Sequence, residues 1–575
     1  MDSKKWFREA RFGFMLHWGL YSLLGGEWQG RRCETIGEWI QSYFRIPGQR
    51  YAQLAKAFNP VGFQAEDWVR LAKDCGMHYL VLTSKHHEGF ALYHSEVDAY
   101  NIYDATPFKR DPIAELAEAC YKHGLKLGLY YSQDLDWHDP DGGGYLAEDK
   151  NCGVMSWTND WDYPDVAAKD YSRCFERKIK PQVQEILTKF GDLCLIWFDT
   201  PRTISPAQSQ ELYDLVKRYQ PGCLINSRIG NGLGDYTSLG DNQVPAARKQ
   251  GGLFETAATL NDTWGYKSFD QNWKNPRETV SLLGRLASRD VNYLLNVGPD
   301  HLGRIPARAQ AVMHEVGHWM DQNAEAIIGA QPNPFSFEPA AGPVTARQDS
   351  LYFHLHHPEI IKDGLLQING IRSQVSAASL LSTGQPLSFT QNEPAAGAVQ
   401  TTVQLPPMDD AAVMPVVKLT FSGQTDLDSG IIQQPDGSIL LTAAAAMIKG
   451  QAKLNRASAI DGWTDSATEL SWSFQLYSAG TYQIEVASNG CYKEPWIGGH
   501  DISVACDGRT AGGKLTRDGD LDSLLTRYCT GALSRPCVIS LPAAGSMTLV
   551  LTLNRCNPAD AGGFKFVHLR LYPIG

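Results

Sequence analysis

The stretch that most constrains this chain is Leu193–Phe198, a short unbroken apolar run with Asp192 before it and Asp199, Thr200 and Pro201 after it. A run of this length without polar alternation reads as a strand buried on both faces, as in a parallel sheet. Asp199 then stands where the strand leaves the core. In a parallel α/β barrel, catalytic side chains collect at that end of the strands.

The same arrangement recurs along the first part of the chain. Phe12–Leu16 runs into His17, Tyr79–Thr83 into Lys85-His86-His87-Glu88, Leu125–Tyr130 into Tyr131, and Cys223–Asn226 into Ser227 and Arg228. Gly252–Phe254 leads to Glu255, and Tyr293–Val297 to Gly298-Pro299. Helical stretches separate these runs: 65–75, stopped by Gly76, 112–123, stopped by Gly124, then 165–190, 206–219, 277–288 and 307–323. Strand–helix repetition on this scale predicts an α/β domain, an N-terminal (β/α)8-type barrel over residues 1–335.

From residue 343 the pattern changes to short alternating strands, such as Ser350–Leu355, parted by Gly, Pro and Ser turns. The remainder is therefore expected to be all-β, with one β-sandwich at 343–423, a composition break at 424–437 and another β-sandwich at 430–575. Tyr492 and Trp496 suggest a carbohydrate-binding role for the last module, with a structural or oligomerisation role as the alternative.

A formal charge of -11 argues against nucleic acid as a main partner. No polybasic patch and no apolar stretch of membrane-spanning length is present, so no membrane partner is expected. Met1–Glu9 lacks the apolar region of a signal peptide, which favours a cytoplasmic location. The twelve cysteines include no Cys-x-x-Cys pair. Cys75, Cys120 and Cys194 read as small buried hydrophobes, while Cys506, Cys529, Cys537 and Cys556 would pair only in an exported protein.

The strand ends together carry His17, His86, His87, Tyr131, Asp199, Arg228 and Glu255. An apolar core has no use for such groups, but a hydroxyl-rich ligand does, because each buried hydroxyl must be paired. Two carboxylates at separate strand ends fit glycoside hydrolysis. No Gly-rich phosphate loop points to nucleotide chemistry. Adjacent histidines on a strand face opposite ways, so His86 and His87 are not expected to share a metal, and no metal or cofactor is expected.

These residues sit in motifs that resemble those of the family 29 glycoside hydrolases, the α-L-fucosidases. They are Phe12-Gly13-Phe14-Met15-Leu16-His17-Trp18-Gly19, Glu38-Trp39, Phe58-Asn59-Pro60, Lys85-His86-His87-Glu88-Gly89-Phe90, Tyr130-Tyr131-Ser132 and Leu195–Asp199. Phe254-Glu255-Thr256, Thr263–Tyr266 and Leu294–Pro299 complete the series, in the family's order across residues 6–330. The resemblance implies an exo-acting, retaining enzyme that removes terminal α-L-fucose from a fucosylated glycan or glycoside. It is compatible with a homo-oligomer. A non-catalytic fucose-binding protein is the alternative. By the same resemblance Asp199 is the nucleophile, and His17, Glu38, Trp39, His86, His87, Tyr131, Arg228 and Trp264 contact the sugar. The sequence departs from the family pattern at Glu88, often Asp, and at Asp241, where part of the family has its acid/base Glu. Other members use the Glu of a Trp-Glu-Thr-like motif, so Glu255 is the expected acid/base, with Asp241 as the other candidate.

Overall fold

The computed structural model describes residues 2–146, 151–357, 361–407, 413–492, 495–522 and 529–574. The chain divides into two compact units. One comprises Met1–Ser238, Gly252–Thr279 and Asn292–Asp321; the other comprises Leu239–Gly251, Val280–Val291 and Gln322–Gly575.

The first unit is built on one sheet of eight parallel strands. They are β1 (Phe12–Leu16), β2 (Tyr79–Lys85), β3 (Lys126–Tyr131), β4 (Leu195–Phe198), β5 (Leu224–Ile225), β6 (Thr237–Ser238), β7 (Phe254–Thr259) and β8 (Asn292–Val297). β1 pairs with both β2 and β8, and the two remaining edges, β5 and β6, meet through the bridge Asn226–Tyr236. The sheet thus curls into the expected barrel. β1, β2, β4 and β8 are buried along their whole length, which is why their sequences are continuously apolar or nearly so.

Local signals set the helices. In α1 (Ser3–Ala10), Asp2 accepts the N–H groups of Lys4 and Lys5. Phe7 of α1 lies against Tyr79 and Tyr236, at the end of the barrel where β2 begins. In α3 (Pro112–His123), which follows α2 (Ala65–Asp74), Asp111 caps the first turn, Pro112 opens it and Gly124 at φ 69° closes it. The helix expected over 165–190 starts late and is interrupted. Asp170 caps a short turn at Tyr171–Cys174, residues 175–179 widen into a π turn, and α4 (Lys180–Lys189) follows. Pro181 has no N–H for the carbonyl four residues back and its ring needs room there, which the wider turn provides. The longer helices that follow are α5 (Pro206–Tyr219), with a Ser205–Gln208 capping box, α6 (Pro276–Ser288) and α7 (Ala307–Asn323). Among the described residues no helix is long and apolar enough to cross a membrane.

Two strands differ from the sequence reading. β6 is only two residues long and offers no pattern to find. β7 does not end at Glu255 but begins beside it: the strand is Phe254-Glu255-Thr256-Ala257-Ala258-Thr259. Its carboxylate and two threonines hide it from a search for apolar runs.

In the second unit a four-stranded sheet (Val344–Arg347, Ser350–His354, Val416–Phe421, Val375–Leu380) and a three-stranded sheet (Leu365–Asn369, Ala398–Gln404, Phe389–Ala395) share a core of Leu351, Phe353, Val403 and Leu419. A six-stranded and a seven-stranded sheet enclose a separate core around Trp463, Trp472, Leu551 and Phe566. Ile431 joins the second core and its neighbour Ile432 the first, as the alternation of a strand requires. Both sandwiches, each with its own core, lie in the second unit. Trp496 is half-buried, its indole N–H bonded to Ser488 Oγ, so it is not the exposed aromatic the sequence suggested. Tyr492 lies at the end of a strand beside Lys493 and Glu494, which fall outside the described residues. Cys506, Cys537 and Cys556 are free thiols.

Gly13 in β1 lets the Tyr79 ring cross the barrel interior; a Cβ at this position would overlap that ring. Gly13→Ala is expected to displace Tyr79 and to lower unfolding stability by about 1–3 kcal/mol. Urea titration followed by tryptophan fluorescence measures this loss.

Candidate active site

Asp199 is the first residue beyond β4. The next residue, Thr200, has φ 49°, so the chain turns sharply here and leaves the Asp199 side chain at the barrel end. The Asp199 N–H donates to Gln133 Oε1 at 2.8 Å, and Gln133 Nε2 donates to the Arg228 carbonyl at 2.8 Å. One glutamine therefore ties the backbones of two candidate residues together. The loop that follows is pinned by Asp134, whose Oδ2 accepts the N–H groups of Arg202, Thr203 and Ile204 at 2.6–2.8 Å.

Each carboxylate oxygen of Asp199 has a side-chain donor. Arg228 Nη1 lies 3.0 Å from Oδ1, and Tyr130 Oη donates to Oδ2 at 2.8 Å. Arg228 sits in the turn after β5, its guanidinium carbon 4.6 Å from the centre of the Trp197 ring. Tyr130 stacks on the same indole, with ring centres 5.6 Å apart and planes 18° apart.

The histidines gather around this carboxylate. His86 and His87 follow β2, where the alternation of a strand no longer applies, and their rings lie 4.0 Å apart. Lys85 before them is buried in an ion pair with Asp136, which Lys178 shares. Burial, with Lys85 and the neighbouring imidazoles adding to it, holds both imidazoles well below the usual histidine range, so they act as neutral hydrogen-bonding groups. Ser132 Oγ donates to the Leu135 carbonyl and therefore accepts from His87 Nδ1 at 2.7 Å. That leaves His87 Nε2 as an acceptor, 3.8 Å from Asp199 Oδ2, too long for a direct hydrogen bond. His86 Nδ1 is buried with no hydrogen-bond partner among the described residues. His17 Nδ1 meets Asn296 Oδ1 at 2.7 Å, and Asn296 Nδ2 donates to the Trp264 carbonyl. The His17 ring centre is 5.2 Å from Trp264, 5.4 Å from Tyr130 and 5.6 Å from His86.

Trp39 completes one wall, meeting His87, Trp137 and Trp157 edge to face at 5.1–5.2 Å. Arg202 covers Trp157 at 4.1 Å. Glu38 is buried and accepts the Gly265 N–H at 2.8 Å, which holds the Trp264 loop. Glu88, the departure from the usual Asp, accepts the Leu20 N–H and the Tyr51 hydroxyl. It fastens the chain just beyond His17.

Two expectations are corrected. Tyr131 points away from the site, donating to Gln182 Oε1 at 2.9 Å, and its neighbour Tyr130 is the tyrosine on Asp199. Successive strand residues face opposite sides, so a shift of one changes the side chain entirely. Glu255 is not at a strand's C-terminal end. It is the second residue of β7, four residues and roughly 13 Å short of Thr259. Its side chain is fully buried, with Tyr79 Oη donating to Oε2 and Trp197 Nε1 to Oε1, both at 2.8 Å. Asp241 lies three residues beyond β6, in the segment Leu239–Gly251 that belongs to the other compact unit. Tyr130, Gln133 and Asn296 were missed; the doublet Tyr130-Tyr131 was the signal for the first, the motif Leu294–Pro299 holds the third, and nothing in sequence marks Gln133.

Burial is the main cause that raises Glu88 and Glu255 from the usual 4.5 to about 7 each. A carboxyl whose folded value is raised favours folding most below its unfolded value, and that contribution is lost as pH rises through the folded value. The window is therefore pH 4.5–7. Glu88→Gln carries no such proton, so its stability relative to wild type should improve by up to about 3 kcal/mol across that window. Thermal melts of both proteins at pH 4.5, 6 and 7.5 check the sign.

The family profile described as alpha-L-fucosidase matches residues 1–325. The tissue alpha-L-fucosidase of Rattus norvegicus is 28% identical over 434 residues, covering 71% of this chain and 88% of the rat protein. The crystal structure of an alpha-L-fucosidase from Vibrio sp. strain EJY3 superposes with a TM-score of 0.85 at 30% identity, covering 99% of this chain and 97% of that one. Unliganded alpha-L-fucosidase AlfC from Lactobacillus casei is 54% identical, with a TM-score of 0.54, over 56% of this chain and all of its own. With a profile match over more than half its length, on the barrel that carries Asp199 and its histidines, this chain belongs to the α-L-fucosidase family of glycoside hydrolases.

Proposed function

We propose that the chain is an exo-acting, retaining α-L-fucosidase with Asp199 as nucleophile. The observation that carries this reading is the Asp199 carboxylate at a strand end, held on one oxygen by Arg228 and on the other by Tyr130. Mutant AlfC has been crystallised with 4-nitrophenyl-α-L-fucopyranoside and with Fuca(1,6)GlcNAc. By likeness, the substrate here is a terminal α-L-fucoside. The neutral acceptor on His87 and the imidazole of His17 suit sugar hydroxyls, and Trp264 suits the apolar C6 methyl face.

In this reading Asp199 attacks the anomeric carbon while the glycosidic oxygen leaves with a proton. A β-linked fucosyl-enzyme forms, and water attacks the same carbon to restore the α configuration. The partner acid must reach the glycosidic oxygen. Glu255 is enclosed inside the barrel with both oxygens occupied, so the role passes to Asp241, on the segment that leaves β6 at its C-terminal end. Trp157 and Arg202 offer an aromatic and cationic surface for the leaving sugar.

Asp199→Ala should lower kcat on 4-nitrophenyl α-L-fucoside by about 10³-fold or more, with azide giving the β-azide. Asp241→Ala should keep more activity on that good leaving group than on alkyl fucosides, with azide restoring turnover and giving the α-azide. Steady-state kinetics and NMR of the azide products read both outcomes. The leaving-group pattern in Glu255→Ala instead would reverse the acid/base assignment.

A further inference from the structure

Glu255 is a fully buried carboxyl of the barrel interior that the mechanism above does not use. It lies under Trp197, and Trp197 lies under the two groups that hold the nucleophile. The contacts form one continuous series. Tyr79 Oη and Trp197 Nε1 each donate to a different oxygen of Glu255 at 2.8 Å. Tyr130 stacks on the Trp197 indole, with planes 18° apart, and the Arg228 guanidinium lies 4.6 Å from the same ring. Tyr130 and Arg228 then reach the two oxygens of Asp199 at 2.8 and 3.0 Å.

An indole has a single donor and, by itself, no fixed rotation about its last torsion. Packing alone would let the ring tilt, and both groups resting on it would tilt with it. We propose that Glu255 is a positioning residue: by accepting the Trp197 N–H it fixes the indole plane on which Tyr130 and Arg228 lie, and so sets the aim of Asp199. This rests on Asp199 being the nucleophile of a fucosidase.

The arrangement explains why a carboxylate occupies this place. Tyr79, on the far side, is itself a donor, so the group between it and Trp197 must accept twice. The titratable groups around Glu255 include Tyr79, Tyr236, Cys194 and Arg228, and of these Arg228 carries a full charge. No proton donor to a glycosidic oxygen is needed at this depth.

The test compares Glu255→Gln, Glu255→Ala, Trp197→Phe and Tyr79→Phe in the full chain, with wild type and Asp199→Ala alongside. Trp197→Phe and Glu255→Ala should each lower kcat about 10–100-fold with KM within threefold, since a misaimed nucleophile costs rate rather than binding. Glu255→Gln keeps an acceptor for the indole and should recover most of the loss. Tyr79→Phe leaves the Trp197–Glu255 bond in place and should lose several-fold less than Trp197→Phe. Once Trp197 is Phe, adding Glu255→Gln should cost nothing more. The fall should be the same for nitrophenyl and alkyl fucosides, with no rescue by azide. A leaving-group-dependent fall with azide rescue would make Glu255 the acid/base and overturn the proposal. So would an equal loss in Tyr79→Phe and Trp197→Phe, or additive losses in the double variant. If Glu255→Ala does not fold, the Gln and Phe variants carry the test. Failure of the fucosidase reading itself is seen separately, as no turnover by wild type or full turnover by Asp199→Ala.

Discussion

Asp199 has two oxygens, and the barrel supplies a side-chain donor to each, with the Thr200 N–H also on Oδ1. Arg228 comes from the turn after β5 and Tyr130 from β3, the strands on either side of β4. For both to reach the same carboxylate, the register of three adjacent strands must be right to within one residue. Gln133, bonded to the Asp199 N–H and the Arg228 carbonyl, couples the same neighbours through the backbone. Much of the surrounding construction reads as support for this arrangement. Asp134 fixes the loop beyond the nucleophile, Lys85 and Asp136 anchor the two histidines, and Asn296 orients His17.

How much of this was legible follows from burial. β4 and β1 are enclosed on both sides, so their sequences are apolar without interruption and their ends are sharp. Asp199 and His17 could therefore be placed from sequence. β7 is enclosed too, but its inward side is occupied by a hydrogen-bonded carboxylate, so the run Phe254–Thr259 does not look like a strand. The reading stopped one residue inside it and took Glu255 for a strand end. In β3 the apolar run does not reveal which of two adjacent tyrosines faces inward, because both are fully buried. Only the pairing of Tyr130 with Trp197 across to β4 decides it. Contacts such as Asn296 to His17, 279 positions apart, leave no local trace.

The buried carboxyls show what the barrel tolerates. Glu38, Glu88 and Glu255 are each nearly or fully inaccessible, and each accepts from N–H or O–H groups of residues far away in the chain. Removing such a group from water costs several kcal/mol unless partners replace the lost hydration. Here the partners are the segments that carry site residues: Gly265 beside Trp264, Leu20 beyond His17, Trp197 beneath Tyr130. The cost of burial is coupled to correct loop placement, which favours one arrangement over near alternatives.

The division of the chain has a consequence for its history and its handling. The polypeptide passes between the two compact units five times, at residues 238/239, 251/252, 279/280, 291/292 and 321/322. Neither unit is a contiguous stretch of gene. No single cut separates them, and a fragment ending at the last barrel helix would lack the partners of 239–251 and 280–291, such as Ala457 for Ala246 and Glu338 for Arg289. The second unit draws on two segments of the barrel's own sequence, the loop 239–251 and residues 280–291 of and after α6. A ribosome must deliver residues beyond 450 before the loop after β6 meets its final hydrogen-bond partners.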